Sequence, residues 1–443
     1  TFRYNGYEYL RESEDMPNMM GAYVEHYESR VLDEANSVKG AIIDGVQHYD
    51  DSVIIVSNIL TDRMLRAQLD NEDSLYTVLI PTDTAWNRAY GEIASYYNFV
   101  EKIPYQDLSS NQVGLMPGAS WNDKMKKLIN MLDASAGKVE VALNSAPIGA
   151  EIQETGAYWS DSIAKRLLTN NFVFSEKSGK FNTKFQTGQS FKESDSVYST
   201  TGNWLSNPAM LDELTEDVIE LSNGHARMIK DFPFSPKETY APVIKSRNVG
   251  RVITATGFKH TEESIDRELL DPSMCVLDDE NETALRYVKT NVPEISYSLS
   301  EFNFYIDDVL STTYDVSLVL VPACIEDPDM PESERKPYSL YVDINYADYE
   351  KGELTLVNKR FDGEKLVSGN SALRKVEPFT GGKDKVDTIR LGRVTFPICY
   401  AGTGAKPNIK VMYPFNLKMD KSCERNLRIA NVILEPVVEE EKE

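Results

Sequence analysis

The chain has 443 residues, 41% of them hydrophobic, with 70 acidic against 47 basic side chains and a net charge of −23. A charge of that sign repels phosphate backbones and anionic lipid, so neither nucleic acid nor an anionic membrane surface is an expected partner. The length exceeds what one hydrophobic core organises, which predicts two main domains.

No run approaches the roughly 18–20 apolar residues that cross a bilayer; "VSLVLVPACI" is of strand length. The chain is therefore expected to stay in water. Thr1 in place of an initiator Met leads to the expectation of a trimmed, exported product. Cys275, Cys324, Cys399 and Cys423 all lie in the second half, without the close pairing of a zinc or redox motif. Buried free thiols are the expected state, with one or two disulfides as the alternative.

Residues 1–40 are polar and tyrosine-rich and read as an N-terminal arm or short helix. From Asp51, the residues Val53, Val56, Leu60 and Met64 fall near helical spacing behind the capping residues Asp50, Asp51 and Ser52, which predicts a buried amphipathic helix. "YTVLIPTDTAW" at 76–86 predicts a strand ended by Pro81. A helix capped by Thr82 should follow, with Asp83 at its positive end and Trp86 on its buried face. Regions 97–125 and 175–207, rich in Ser, Asn, Gly, Lys and Thr, read as surface insertions.

Leu211, Leu214, Val218 and Leu221 predict a helix stopped by Asn223-Gly224, and "HARMI" after it predicts a strand. Beyond Asn248 come short strand-like runs: "RVITATGF", "FNFYIDDVL", "YDVSLVLVP", "YSLYVDINY", "ELTLVNKRF", "DTIRLGRVTFP", "NIKVMYPF" and "LRIANVILEPV". Separated by Asp, Gly, Pro and Asn clusters, they predict an antiparallel β-sandwich over 248–438, jelly-roll-like in form, before an acidic tail at 439–443.

Over residues 41–247 the chain resembles a fasciclin-like domain, an α+β fold. The family's first motif, T-V-F-A-P-T-[DN]-E-A-F, corresponds to "TVLIPTDTAW", with Thr77, Pro81, Thr82 and Asp83 kept and Trp86 at the aromatic position. Its second, N-G-x-x-x-x-I-D-x-x-L, corresponds to "NGHARMIKDFPF", with Asn223, Gly224 and Ile229 kept and Asp231 one place late. The family's central His corresponds to Asn171 and the acidic position of the first motif to Thr84. The second half resembles the β-sandwich modules of carbohydrate-binding proteins, through "TTYDVSLVLVPA" and "LRIANVILEPV". A fasciclin-like domain joined to such a sandwich resembles surface lipoproteins of Bacteroidetes. That implies an exported, outer-membrane-anchored, non-catalytic protein whose partner is a glycan or a surface protein.

The chemistry-bearing residues fit that expectation. His26, His48, His225 and His260 are scattered, and no nucleophile elbow, P-loop or dinucleotide fingerprint occurs, so neither a catalytic residue, a metal nor a cofactor is expected. The acidic stretches "LDDENET" (277–283) and "EDPDMPESE" (326–334) lack the spacing of an EF-hand and read as exposed loops. Sugar recognition uses aromatic faces beside polar side chains. Strand alternation puts Tyr341, Asp343 and Asn345 on one face and Val342, Ile344 and Tyr346 on the other, which makes the first set the candidate ligand-binding face. Trp121, Trp159 and Trp204, in or beside the two insertions, are candidates either for plugs or for ligand contacts.

Overall fold

The computed structural model describes residues 3–107, 112–116, 156–249, 259–292, 301–368, 376–414 and 421–438. The chain divides into two compact units, one of Thr1–Ala94 with Met125–Thr239 and one of Ser95–Lys124 with Tyr240–Glu443. The first is mixed α and β; the second is built on two antiparallel sheets.

Helix α1 (Gly6–Glu12) begins at Asn5, whose side chain accepts from the Glu8 N–H while the Glu8 carboxylate accepts from the Asn5 N–H. That reciprocal cap satisfies two donors that a helix end otherwise strands. After α2 (Asn18–His26) the chain runs out and back as one ribbon. Strand β1 (Glu28–Leu32) leads to β2 (Val38–Ile43), then β3 (Val46–Asp51) returns to β4 (Ile54–Asn58), with β1 paired to β4 and β2 to β3. Asp44 and Gly45, both at positive φ, close its tip.

The amphipathic helix expected after Asp51 is absent. Val53 and Val56 belong to the ribbon and are exposed, and only Leu60–Met64 coils, as one π-helical turn. Four consecutive β-branched residues, Val53 to Val56, favour extended backbone, and their helical spacing to Leu60 is incidental.

Strand β5 (Tyr76–Pro81) and helix α3 (Asp83–Tyr96) follow as expected. The Thr82 hydroxyl accepts from the Ala85 N–H at 3.2 Å, and Trp86 is buried. The hairpin of β6 (Ile103–Asp107) and β7 (Gln112–Met116) belongs to the second unit. Then come α4 (Gly156–Thr169), β8 (Val173–Ser175), β9 (Val197–Tyr198) and β10 (Trp204–Leu205). Region 175–207 is no loose insertion: it buries Phe185, Phe191, Val197 and Leu205. Asn171 accepts there from Ser199, Thr201 and Asn203.

The helix expected through Leu221 stops at Leu214, and β11 (Thr215–Leu221) turns at Ser222 and Asn223 into β12 (Gly224–Ile229). Asn223-Gly224 is thus a hairpin turn and not a helix stop. The four strands order β11-β12-β5-β8, parallel only between β12 and β5. Gly224 sits at φ 136°, and a Cβ there would lie 1.9 Å from the Tyr76 carbonyl oxygen, so this position admits only glycine.

In the second unit the strands are β13 (Ile244–Ser246), β14 (Lys259–Asp266), β15 (Ala284–Asn291), β16 (Glu301–Tyr305), β17 (Thr313–Leu320) and β18 (Tyr338–Glu350). They continue with β19 (Glu353–Asp362), β20 (Lys365–Ser368), β21 (Phe379–Gly381), β22 (Asp387–Thr395), β23 (Asn408–Met412) and β24 (Arg428–Pro436). One sheet orders β14-β15-β24-β17-β22, with β13 on β24; the other orders β16-β23-β18-β19-β20, with β21 on β18. The arrangement is that of a β-sandwich. Phe396 joins the sheets, its ring edge-on to Tyr314 of β17 and to Tyr346 of β18.

Seven of the eight strand-like runs coincide with observed strands, while "RVITATGF" and the tail 439–443 lie outside the described residues. β14 and β15 had no counterpart among the expected runs. All four cysteines are free thiols, three of them buried. No helix among the described residues is long and apolar enough to cross a membrane.

Candidate functional site

Strands β18 and β19 turn at Lys351 and Gly352, both at positive φ, and this turn fixes the register of β19 on β18. Val342, Ile344 and Tyr346 point into the core, as the alternation predicts. The opposite face carries rows across the strands. Glu301, Met412 and Tyr341 form one, Asn303, Lys410, Asp343 and Arg360 the next, and Tyr305, Asn408, Asn345 and Asn358 the third.

The middle row is closed. Arg360 donates to both Asp343 oxygens, from Nε at 2.6 Å and a terminal nitrogen at 3.1 Å, and its guanidinium lies 4.3 Å from the Tyr341 ring centroid. Both charged side chains are 2% exposed. Two charges so removed from water persist because the bidentate geometry and the aromatic face replace their hydration.

The third row is a chain of amides. Asn358 donates to Asn345 at 2.9 Å, Asn345 to Asn408 at 3.1 Å, and Asn408 to Asn303 of the neighbouring row at 3.4 Å. Over it lies a shallow cleft that encloses about 20 Å³, lined by Tyr305, Asn345, Leu356, Lys406 and Asn408, with Pro104, Tyr105 and Gln106 of β6 as its other wall. The wall that completes it therefore comes from a segment far away in sequence.

The charges at the rim are matched. Lys406 pairs with Asp307 and Lys410 with Glu301. Lys359 pairs with Asp348 at 2.7 Å, and its ammonium lies 5.3 Å from the Tyr346 ring centroid. Burial alone would raise the Asp348 carboxyl, but Lys359 outweighs it and holds the acid below its ordinary range. What remains to address a ligand is a set of neutral amides, phenol rings and one aliphatic wall. That combination suits a hydroxyl-rich molecule with apolar faces.

Of the sequence candidates, Asn345 lies in the cleft. Asp343 is buried against Arg360, and the same guanidinium covers one face of the half-buried Tyr341 ring. Trp159 is buried in the first unit, the plug of the two roles weighed for it. Trp204 is 58% exposed and leans on Tyr198. Trp121 lies outside the described residues.

The motif residues hold the first unit together. Pro81 and Ile229 pair across β5 and β12. Asp83 accepts from the Met19 N–H, and Thr77 donates to the buried Glu176, which also meets His225 at 2.7 Å. Asn223 accepts from the Gly6 N–H and donates to the Leu69 and Asn71 carbonyls.

Sequence reasoning missed Tyr105, Tyr305, Asn358, Arg360 and Asn408. Counting outward from the Lys351-Gly352 turn would have placed Arg360 against Asp343 and Asn358 against Asn345; nothing comparable pointed to the others. The acidic loops hold protein cations. Arg267 donates to the Asp279, Glu280 and Glu282 carbonyls, and Glu326 accepts from Lys289 and Arg428.

No family model and no curated protein matches this chain. Among solved structures, a xanthan lyase from Paenibacillus is 12% identical over 49% of this chain and 16% of its own, with a TM-score of 0.22. The chain thus spans about a sixth of that lyase's length, and a likeness at this score carries no argument about fold or function.

Proposed function

We propose that the protein is a non-catalytic, cell-surface glycan-binding protein whose ligand lies in the cleft over the amide row of the second unit. The observation that carries this reading is the pairing of Tyr105 and Tyr305 with the Asn345–Asn408 amides in one recess. Amides read hydroxyls, and rings cover sugar C–H faces. A catalytic carboxyl is poised by a raised pKa or a free partner position. Three acids near the cleft, Asp307, Asp343 and Asp348, are each bound to a cation, which favours retention over cleavage, while burial raises the carboxyl of Asp308, the neighbour of Asp307.

In this reading the first unit is a fasciclin-like spacer, as "TVLIPTDTAW" and "NGHARMI" suggest, and the second a jelly-roll-like module. Export and a lipid anchor at the outer membrane would present both to extracellular polysaccharide. The test is retention of the whole chain on immobilised neutral and uronate-containing polysaccharides, beside an Asn408→Ala variant. Retention by a neutral polysaccharide, weakened at least tenfold in the variant, is expected. Equal retention of the variant, or release of new reducing ends, would overturn the reading.

A further inference from the structure

Residues 28–58 form the ribbon β1–β4, and it inverts the ordinary partition of side chains. Nine of the nineteen exposed large hydrophobics among the described residues lie on it, between 39% and 69% exposed. Ile42 and Ile43 are adjacent, as are Ile54, Ile55 and Val56, so the aliphatics occupy both faces of the ribbon. Single exposed apolar residues need no explanation, but a contiguous set of this size does. Together they present on the order of 800 Å², one partner's share of a standard protein interface.

The ribbon is held at a defined root. Glu28 accepts from Tyr7 and Arg11 at 2.7 Å each and from Arg30 at 2.6 Å, while Asn58 donates to the Val24 carbonyl at 2.9 Å. Midway, the Asp33 N–H donates to the Val53 carbonyl, and the Ser37 hydroxyl bridges the Asp33 carbonyl and the Val53 N–H. Among the described residues β2 and β3 pair only with each other, which leaves an open edge on each side. A two-stranded ribbon is marginal alone and gains most from added cover.

Charge decides what covers it. The ribbon carries Glu28, Asp33, Glu34, Asp44, Asp50 and Asp51 against Arg30 and Lys39. An anionic lipid surface would repel it, and Asp44 at the tip opposes insertion into hydrocarbon. A second copy would bring an equally acidic ribbon on a chain of −23. We infer that the ribbon is a docking element for a different protein, one that receives it in an apolar groove with a Lys- and Arg-rich rim. A groove covers both faces, and a basic rim answers the acids.

The test places a photo-crosslinking residue in the full-length chain, in its native cells, at Ile42 and at Ile55 on opposite faces, with Leu269 of the second unit as an exposed control. The expected result is the same protein crosslinked from both ribbon positions and not from the control. Purified and recombined with the full chain, that protein should bind at least tenfold more weakly to Ile42→Asp, and at least tenfold more weakly as salt rises from about 50 to about 300 mM. Thermal unfolding of Ile42→Asp should match the parent, which separates lost docking from lost fold. Crosslinks to a second copy, to lipid, or to nothing beyond the control level overturn the inference, as does salt-insensitive binding.

Discussion

The outer face of the second unit's sheet and the ribbon of the first unit contrast in what they bury. The sheet face hides charge: Asp343 and Arg360 are as withdrawn from water as any aliphatic of the core. The ribbon displays aliphatics that a core would normally enclose. Burial therefore follows polarity in neither place, and both departures cost stability unless something else compensates. On the sheet the compensation is internal, a bidentate pair and an amide chain. On the ribbon nothing within the described residues supplies it, which leaves the compensation to a docked partner.

The contrast breaks first at Arg360. Replacing it with Met strands the Asp343 carboxylate in a buried site and should cost about 3–5 kcal/mol in denaturant unfolding. The double replacement with Asp343→Leu should recover most of that loss. If the single variant is as stable as the parent, the pair is not the closed unit described.

Glu28→Gln at the ribbon root should cost less, on the order of 1–2 kcal/mol. Burial works against the Glu28 charge, but Arg11, Arg30 and Tyr7 overcome it and hold the carboxyl at about 2. Its contribution should be full above the unfolded carboxyl value near 4.3 and fade as pH falls toward the folded value. Melting curves from pH 6 to pH 2.5 on parent and variant should converge at the acid end.

His225 gives a smaller effect of opposite sign. Its hydrogen bond to Glu176 raises its pKa, so its stabilisation should be whole below about 6.5 and be lost as pH rises through the folded value. The melting gap between parent and His225→Gln should be wider at pH 6 than at pH 9; an equal gap would reject the pairing. At the bottom of the scale, Ile43→Thr on the ribbon should leave stability within about 0.5 kcal/mol of the parent. A larger loss would mean that the ribbon is packed after all.

Seven of the sandwich strands were legible because each is a short strand-like run bounded by turn residues, while β14 and β15 were not. β5 and α3 were legible because Pro81 and Thr82 are punctuation. The ribbon was not: Val53, Val56 and Leu60 satisfy a helical period while their β-branched side chains favour a strand, and spacing cannot weigh the two. Leu214 to Leu221 failed in the same way, since a turn at Asn223 permits either a helix end or a hairpin. At the cleft, the face carrying Asn345 could be read from alternation, but its covering could not. Arg360 was within reach of counting from one turn, whereas Tyr105 comes from a segment that reads as loop, and Tyr305 and Asn408 from strands with no local link to β18.

The pairing of β5 has a kinetic side. The strand's two partners are β8 and β12, and the glycine that lets its carbonyl pass so closely opens the later of them. At roughly 5–20 residues per second, synthesis leaves the bare run "YTVLI" outside the ribosome for on the order of ten seconds before β12 appears. Until β8 emerges it is an unpaired, uncharged segment of high β-propensity, and until β12 emerges it keeps one open edge, the kind of segment that associates with its neighbours on a polysome. Shorter products that end before β12 should accumulate as aggregates, and the yield of intact protein should depend on whatever shields β5 during that wait.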